Sequence, residues 1–355
     1  MRSVIKMIIV LVVLLVAFQY LLSALFLISR QFVDLSIMHT SLEHVMNAPM
    51  LGNITIRHAT PETQELCPSI PPKLQGRISI NMSVLSWASL EQTLTYLEIG
   101  GHFRPAGCVA RTKVAIVVPY RNREVHLKIF LNTIHPFLQK QQLDYGMFVI
   151  EMAPNITFNR GLLMNIGYQE ALRDYDYQCF IFHDVDLLPE DDRNLYSCEQ
   201  SPRHMSVAID KHNYTLPYEA YFGGVSAISR RHFQKINGFS NVFFGWGGED
   251  DDMYLRIVYT GLDVTRNSAT VARYKMLRHA EDKLNELNAV RFRLLNTARR
   301  RRLQDGIRNV KYTVLKKEYR QLYTWILTSP HTSGAMFSVN GREGLRMSQR
   351  KNKHF

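Results

Sequence analysis

Val114-Ala-Ile-Val-Val-Pro-Tyr-Arg-Asn-Arg123 is an unbroken apolar run that stops on a proline and turns basic. Val114–Val118 reads as a buried strand, and the stretch after it sets Leu127, Phe130, Leu131 and Ile134 on one face of a helix. The pattern recurs downstream. Met147-Phe-Val-Ile150 reads as a second strand, Asn159–Asp174 as a helix with Leu162, Leu163, Ile166 and Ala171 on its buried side, and Cys179-Phe-Ile-Phe182 as a third strand running into His183-Asp-Val-Asp186. Strand, helix, strand, helix, strand predicts an α/β fold with a parallel sheet and crossover helices. Ligands of such sheets lie beyond the carboxyl ends of the strands. Arg121 and Arg123 therefore share one edge with Asp184 and Asp186.

Outward from that core, composition sets the class. Of 355 residues, 46% are hydrophobic and 21% charged, which excludes a mainly disordered, collagenous or coiled-coil chain. Met7–Ile28 is nearly continuous apolar sequence; as a helix it would span about 33 Å, the thickness of a bilayer core. Arg2 and Lys6 precede it, and after Arg30 no Lys or Arg follows until Arg57. The positive-inside bias puts residues 1–6 in the cytosol, 7–28 in the membrane as a signal anchor, and the remainder in the lumen. A cleaved signal peptide is the competing reading, but the run is long and no small-x-small cleavage site follows. All four cysteines, Cys67, Cys108, Cys179 and Cys198, come after the run, and they allow three pairings. Sequons at Asn53, Asn81, Asn155 and Asn213 agree with a secretory-pathway protein. The net charge of +12 suggests an acidic partner; a luminal body excludes nucleic acid. Arg299–Arg302 reads as a solvated helix face. Residues 29–66, mixed and broken by Pro49, Gly52 and Pro61, read as a stem; 67–328 form the body, and 329–355 a basic tail.

Three motifs carry chemistry. In an extended Asp184-Val-Asp186 both carboxylates point to one face and can hold a hard divalent cation, which in turn holds a diphosphate. The alternative is a strand-to-turn junction capped by Asp. In Gly245-Trp-Gly-Gly-Glu-Asp-Asp-Asp252 the glycines permit unusual backbone angles, and Trp246 offers a flat face for a sugar ring. Four carboxylates then precede a helix expected over Met253–Thr260. Acidic residues favour helix N-termini, but four in a row should raise at least one pKa, as a general base requires. In Met276-Leu-Arg-His279, residues three apart share a helical face or a tight turn. His279 could complete a metal site with Asp186; Met276 is too soft a donor to be favoured on its chemistry alone.

Phe158-Asn-Arg160, Phe180-Ile-Phe-His-Asp-Val-Asp-Leu187, Tyr221-Phe-Gly-Gly-Val-Ser226, Ile236-Asn-Gly-Phe239 and Gly245–Asp252, in this order and spacing, resemble the β-1,4-galactosyltransferase family over about Cys67 to Thr324. The resemblance implies a Golgi type II membrane enzyme with a GT-A (Rossmann-like) domain and a mixed, mainly parallel sheet. It implies Mn²⁺-dependent, inverting transfer of galactose from UDP-galactose to the 4-hydroxyl of a terminal N-acetylglucosamine. Pro119, Tyr120, Arg121, Asn122 and Arg123, with Phe158, Asn159 and Arg160, look like uridine-diphosphate contacts. Val185 and Asp186 look like donor and metal contacts, with Asp184 in support. Met276 and His279 match the family's other metal ligands, against the chemical objection to Met276. Trp246 looks like the residue that closes over the donor, and Gly248, Glu249, Asp250 and Asp251 like the acceptor site, with Asp250 as base. Arg291 and Phe292 resemble the pair that holds the acceptor's N-acetyl group. The cysteines match as Cys67–Cys108 and Cys179–Cys198. Tyr221 stands where a bulky side chain crowds the donor's C2 position and favours galactose.

Departures are Phe244 for a frequent Trp, Gly161-Leu162 for a frequent Ala-Lys, and Leu287 for a common Pro. Other segments look like the invertebrate branch, where N-acetylgalactosamine transfer is common. An N-acetylgalactosaminyl- or N-acetylglucosaminyltransferase on the same scaffold is thus the first alternative. A non-catalytic sugar-binding protein is a second; it would not need Asp250. A metal-dependent phosphohydrolase is a third; it would not need Trp246.

Overall fold

The computed structural model describes residues 64–278 and 285–331. The expected anchor, nearly all of the stem, His279 and nearly all of the basic tail lie outside these residues. Among the described residues no helix is long and apolar enough to cross a membrane.

A short helix α1 (Trp87–Thr93) precedes β1 (Lys113–Tyr120), α2 (Glu124–Lys140), β2 (Asp144–Met152), α3 (Arg160–Asp174) and β3 (Cys179–His183). Then come β4 (Leu187–Pro189), β5 (Arg203–His204), β6 (Ala208–Ile209), β7 (Val225–Ser229), α4 (Arg230–Ile236) and α5 (Glu249–Tyr259). The described chain closes with β8 (Thr265–Arg266), β9 (Arg273–Met276), α6 (Arg291–Asn296), α7 (Ala298–Arg301), β10 (Tyr312–Tyr319) and β11 (Thr324–Pro330). The main sheet is ordered β10-β11-β2-β1-β3-β7-β5-β8, and a small sheet is ordered β4-β9-β6. β11, β2, β1 and β3 run parallel, whereas β7 and β10 are antiparallel to their inner neighbours. The sheet is mixed with a parallel centre, as expected.

Strand periodicity builds two cores from one strand. Val114, Ile116 and Val118 pack with Leu127, Phe130, Leu131 and Ile134 of α2. Ala115 and Val117, on the opposite face, pack with Leu162, Leu163 and Ile166 of α3. Asn159 is the N-cap of α3, its side chain accepting from the Leu162 amide at 2.9 Å. A methyl on Gly167 would meet Val117 Cγ1 at 2.4 Å, so α3 lies against the sheet at a distance only glycine allows. Disulfides join Cys67 to Cys108 and Cys179 to Cys198. The second ties the start of β3 to the loop before β5.

Four local expectations change. Asp184-Val-Asp186 is a turn between β3 and β4, closed by the Leu187 amide on the Asp184 carbonyl at 3.2 Å, so the two carboxylates reach the cleft from a turn and not from an extended strand. Met276 ends strand β9 and is not helical. Helix α5 starts at Glu249, and all four acids fall in its first turn. Arg301 does not face solvent: its guanidinium bridges Asp252 and Asp305, each at 2.6 Å. In addition, β11 runs to Pro330, past the body's expected end at 328.

Candidate active site

The carboxyl ends of β1 and β3, the β3–β4 turn, β9 and the start of α5 open on a cleft of about 680 Å³. Pro119, Arg121, Arg123, Phe158 and Arg160 line one part of it, and Val185, Asp186 and Met276 another; Tyr221, Trp246, Gly248, Glu249, Asp250, Asp251, Arg291 and Phe292 complete it. Three expected contacts are absent from this lining. Tyr120 is buried in the core, because its side chain follows the β1 alternation inward. Asn122 adopts a left-handed backbone (φ 49°) and is exposed. Asn159 is consumed by its helix cap and by donating to the Asn241 carbonyl at 2.8 Å.

Arg160, one residue into α3, organises the floor. Its Nε donates to Asp184 Oδ1 at 2.6 Å and its Nη2 to the Gly224 carbonyl at 3.0 Å, while Nη1 lies 3.5 Å from Glu249 Oε1. Burial pushes the Asp184 carboxyl up to about 6; Arg160 opposes that rise and Asp186 adds to it. Asp184 is thus bound to an arginine, and Asp186 is buried at the cleft wall. Arg121 donates to the Ile156 carbonyl at 2.7 Å and lies 4.9 Å over the Phe158 ring, which fixes both side chains at the rim.

The acid run resolves into four directions, because successive helix residues turn by about 100°. Glu249 faces Arg160. Asp251 accepts from the Tyr218 hydroxyl at 2.8 Å. Asp252 is fully buried, its oxygens held by Arg256 at 2.5 Å and Arg301 at 2.6 Å. Asp250 faces the cleft: a methyl on Gly223 would meet Asp250 Oδ2 at 2.6 Å and the Tyr221 hydroxyl at 2.8 Å. The raised carboxyls expected from crowding are Glu249, pushed to about 7 by burial and then by Asp250, and Asp251, raised by the same two causes. Gly248 caps the helix at φ 96°, and a methyl there would strike the Phe243 ring at 2.8 Å and Arg291 Cβ at 3.1 Å. Glycine is required at that position for both conformation and space.

Residues 67–199 match a family model described as the N-terminal region of glycosyl transferase group 7, and residues 203–280 one described as the N-terminal domain of galactosyltransferase. The chain is 46% identical over 281 residues to human β-1,4-galactosyltransferase 1, an alignment spanning 79% of this chain and 70% of that protein. It is likewise 46% identical over 288 residues to β-1,4-galactosyltransferase 3 of Cricetulus griseus, spanning 81% of this chain and 72% of that one. The chain belongs to the β-1,4-galactosyltransferase family. A solved Drosophila β-1,4-galactosyltransferase 7, in complex with manganese, UDP-Gal and xylobiose, aligns with a TM-score of 0.54 at 30% identity, covering 62% of this chain and 95% of that chain. The fold is accordingly the GT-A-like glycosyltransferase fold, and the protein is an enzyme of galactosyl transfer.

In this galactosyltransferase two of the candidate metal ligands, Asp186 and Met276, come together through the small sheet. Leu187 and Met276 are partners in the β4–β9 ladder, and the Leu277 amide donates to the Asp186 carbonyl at 2.7 Å. A buried carboxylate and a thioether thus line one wall, and residue 279, three further on, lies outside the described residues. Among the described residues no three His, Cys, Asp or Glu converge as a metal site. Trp246 is 61% exposed and is held by backbone bonds, its amide donating to the Glu286 carbonyl at 2.8 Å and its carbonyl accepting from Asn288 at 3.0 Å. Arg291 lies 4.4 Å from the Phe292 ring centroid, stiffening the opposite rim. The sequence reading missed Tyr218, Lys211 and Leu295, which also line the cleft. Tyr218 lies three residues before Tyr221, a weak signal; nothing near Leu295 in sequence marks it except its place one turn after Arg291.

Proposed function

We propose that the enzyme transfers galactose from UDP-galactose to the 4-hydroxyl of a terminal β-N-acetylglucosamine, with inversion at the anomeric carbon and dependence on Mn²⁺. The observation that carries this reading is the meeting of Asp250, Tyr221 and Gly223 at the centre of a cleft whose wall holds Asp186 and Met276. Asp250 lies where an acceptor hydroxyl would enter, half-buried at the N-terminus of α5. It accepts the hydroxyl proton as that oxygen attacks the sugar from the face opposite the departing diphosphate. Arg160 fixes the positions of Asp184 and Glu249 beside that base. Tyr221 fills space beside Asp250, in support of a donor without a 2-N-acetyl group. Trp246, exposed at the rim on a glycine-flanked segment, is positioned to cover the bound donor and exclude water.

Asp186, Met276 and His279 are the residues that would hold manganese. A buried carboxylate with an imidazole and a thioether fits a first-row transition ion better than calcium. When bound, that ion supplies positive charge to the diphosphate. The Drosophila relative crystallised with manganese and UDP-Gal supports the same cargo here. Two disulfides support a luminal body, and residues 7–28 would anchor it in the Golgi membrane.

The test is transfer to a β-N-acetylglucosaminide by the purified full-length protein with Mn²⁺, comparing UDP-galactose, UDP-N-acetylgalactosamine and UDP-N-acetylglucosamine. Preference for UDP-galactose, abolished by chelator, is expected. Preference for an N-acetylated donor would remove Tyr221 as the determinant of donor choice. Transfer only to a different acceptor, such as xylose, would overturn the acceptor assignment.

A further inference from the structure

More than half of the chain's net charge of +12 falls between positions 291 and 311. Between positions 291 and 311 eight Arg or Lys stand against a single acidic residue, Asp305. That carboxylate is buried and bound by Arg256 and Arg301. Arg293, Arg299, Arg300, Arg308 and Lys311 are exposed, and no ion pair joins any of them to a carboxylate among the described residues. Arg299 lies 5.9 Å over the Tyr259 ring and Arg302 donates to the Tyr259 carbonyl at 3.2 Å, so the basic face continues onto the end of α5.

The ridge begins at the cleft. Arg291, Phe292 and Leu295 of α6 line the cavity, and Arg301 Nη2 donates to the Leu294 carbonyl at 2.9 Å, fixing α7 directly behind α6. A free sugar in the cleft would not reach Arg299 or Arg300. An acceptor that continues beyond the terminal sugar, over the α6 rim, would. Unpaired surface cations of one sign create a field that attracts and orients an anionic partner.

We propose that this ridge docks the acidic polypeptide of a glycoprotein acceptor, so that the enzyme selects N-acetylglucosamine-terminated glycans carried on acidic sequence. The inference rests on the reading of the α6 rim as the acceptor side of the cleft. The test uses full-length protein and three glycopeptides with the same terminal sugar, flanked by Asp and Glu, by Ser, or by Lys. At low salt the acidic glycopeptide should show a KM about tenfold below that of the Lys-flanked one, the difference closing near 0.5 M salt. Arg299→Glu with Arg300→Glu should erase that preference and leave transfer to a small neutral N-acetylglucosaminide unchanged. Arg299→Gln with Arg300→Gln should give an intermediate preference and guards against misfolding of the first variant. Binding of the glycopeptides, read by fluorescence anisotropy without donor, separates the two ideas. Charge-selective binding without transfer would sink the proposed reaction and keep the ridge. Equal binding and equal KM for the three peptides would sink the ridge and keep the reaction. Loss of binding to phosphatidylserine vesicles in the variants, with peptide preference intact, would assign the face to a membrane and overturn the proposal.

Discussion

Asp250 has like charges on both sides, yet each of the three carboxylates answers to a different partner: Glu249 to Arg160, Asp251 to Tyr218, and Asp250 to the cleft itself. That division gives the sharpest prediction at this scale. Asp250→Asn should reduce transfer by about 100-fold or more, while calorimetry finds UDP-galactose bound as tightly as before; turnover near the wild-type rate would remove Asp250 as the base. The motif Gly245–Asp252 announced a site but not how it is divided. Glu249, Asp251 and Asp252 meet Arg160, Tyr218 and Arg301, which only the tertiary fold brings near; Arg256, four residues after Asp252 on the same helix, is the one partner that spacing could have shown. The helix starts four residues before the expected Met253: acids favour a helix N-terminus, and α5 uses all four as its first turn. Asn159 shows the converse. It sits inside a block that resembles a donor site, and its side chain is spent on capping α3.

Between elements, the contact that matters most is the buried lattice joining α5 to α7. Arg256 and Arg301 together hold Asp252 and Asp305, with Ser240 Oγ 2.5 Å from both Arg301 Nη1 and Asp305 Oδ2. Replacing Arg301 with Met leaves two buried carboxylates to share one arginine, and should destabilise the fold by ~3 kcal/mol or more, read from the urea midpoint. An unchanged midpoint would mean the lattice is dispensable. The sequence offered Arg299–Arg302 as one solvated face; only its register against α5 separates the inward Arg301 from its outward neighbours. The packing of α3 gives a second prediction. Gly167→Ala must push Val117 and Ile150 aside and should cost ~1–3 kcal/mol by the same measurement. Here the sequence was a better guide: apolar spacing alone identified α2, α3 and the three central strands, because burial on both faces of a parallel sheet leaves a continuous apolar signature.

For the molecule as a whole, pH acts through groups sealed in the core. His135 is fully buried, one ring nitrogen on the Tyr145 hydroxyl at 2.8 Å and the other on the Leu322 carbonyl at 2.9 Å. Burial lowers its pKa from 6.5 to about 4. The unfolded chain therefore binds more protons between those values. The contribution is complete above pH 6.5 and is lost as pH falls towards 4, by ~3 kcal/mol in all. Melting curves from pH 7.5 to 4.5 should show this loss, and a His135→Leu variant should show a shallower slope; equal slopes would remove His135 as the source. What the sequence did not disclose at this scale is the far edge of the sheet. β10 carries Lys316, Lys317 and Glu318 and reads as surface, and β11 pairs with it as a hairpin, so nothing local shows that the hairpin's other side joins the distant β2. Yet Thr324–Thr328 lie in parallel register beside Phe148–Met152. A strand near position 150 thus waits for one near 325 before its second side is closed. During synthesis the β2 edge must stay bare while about 170 further residues emerge. The order of translation, rather than the strength of any one contact, then sets how long this chain is exposed to wrong pairing.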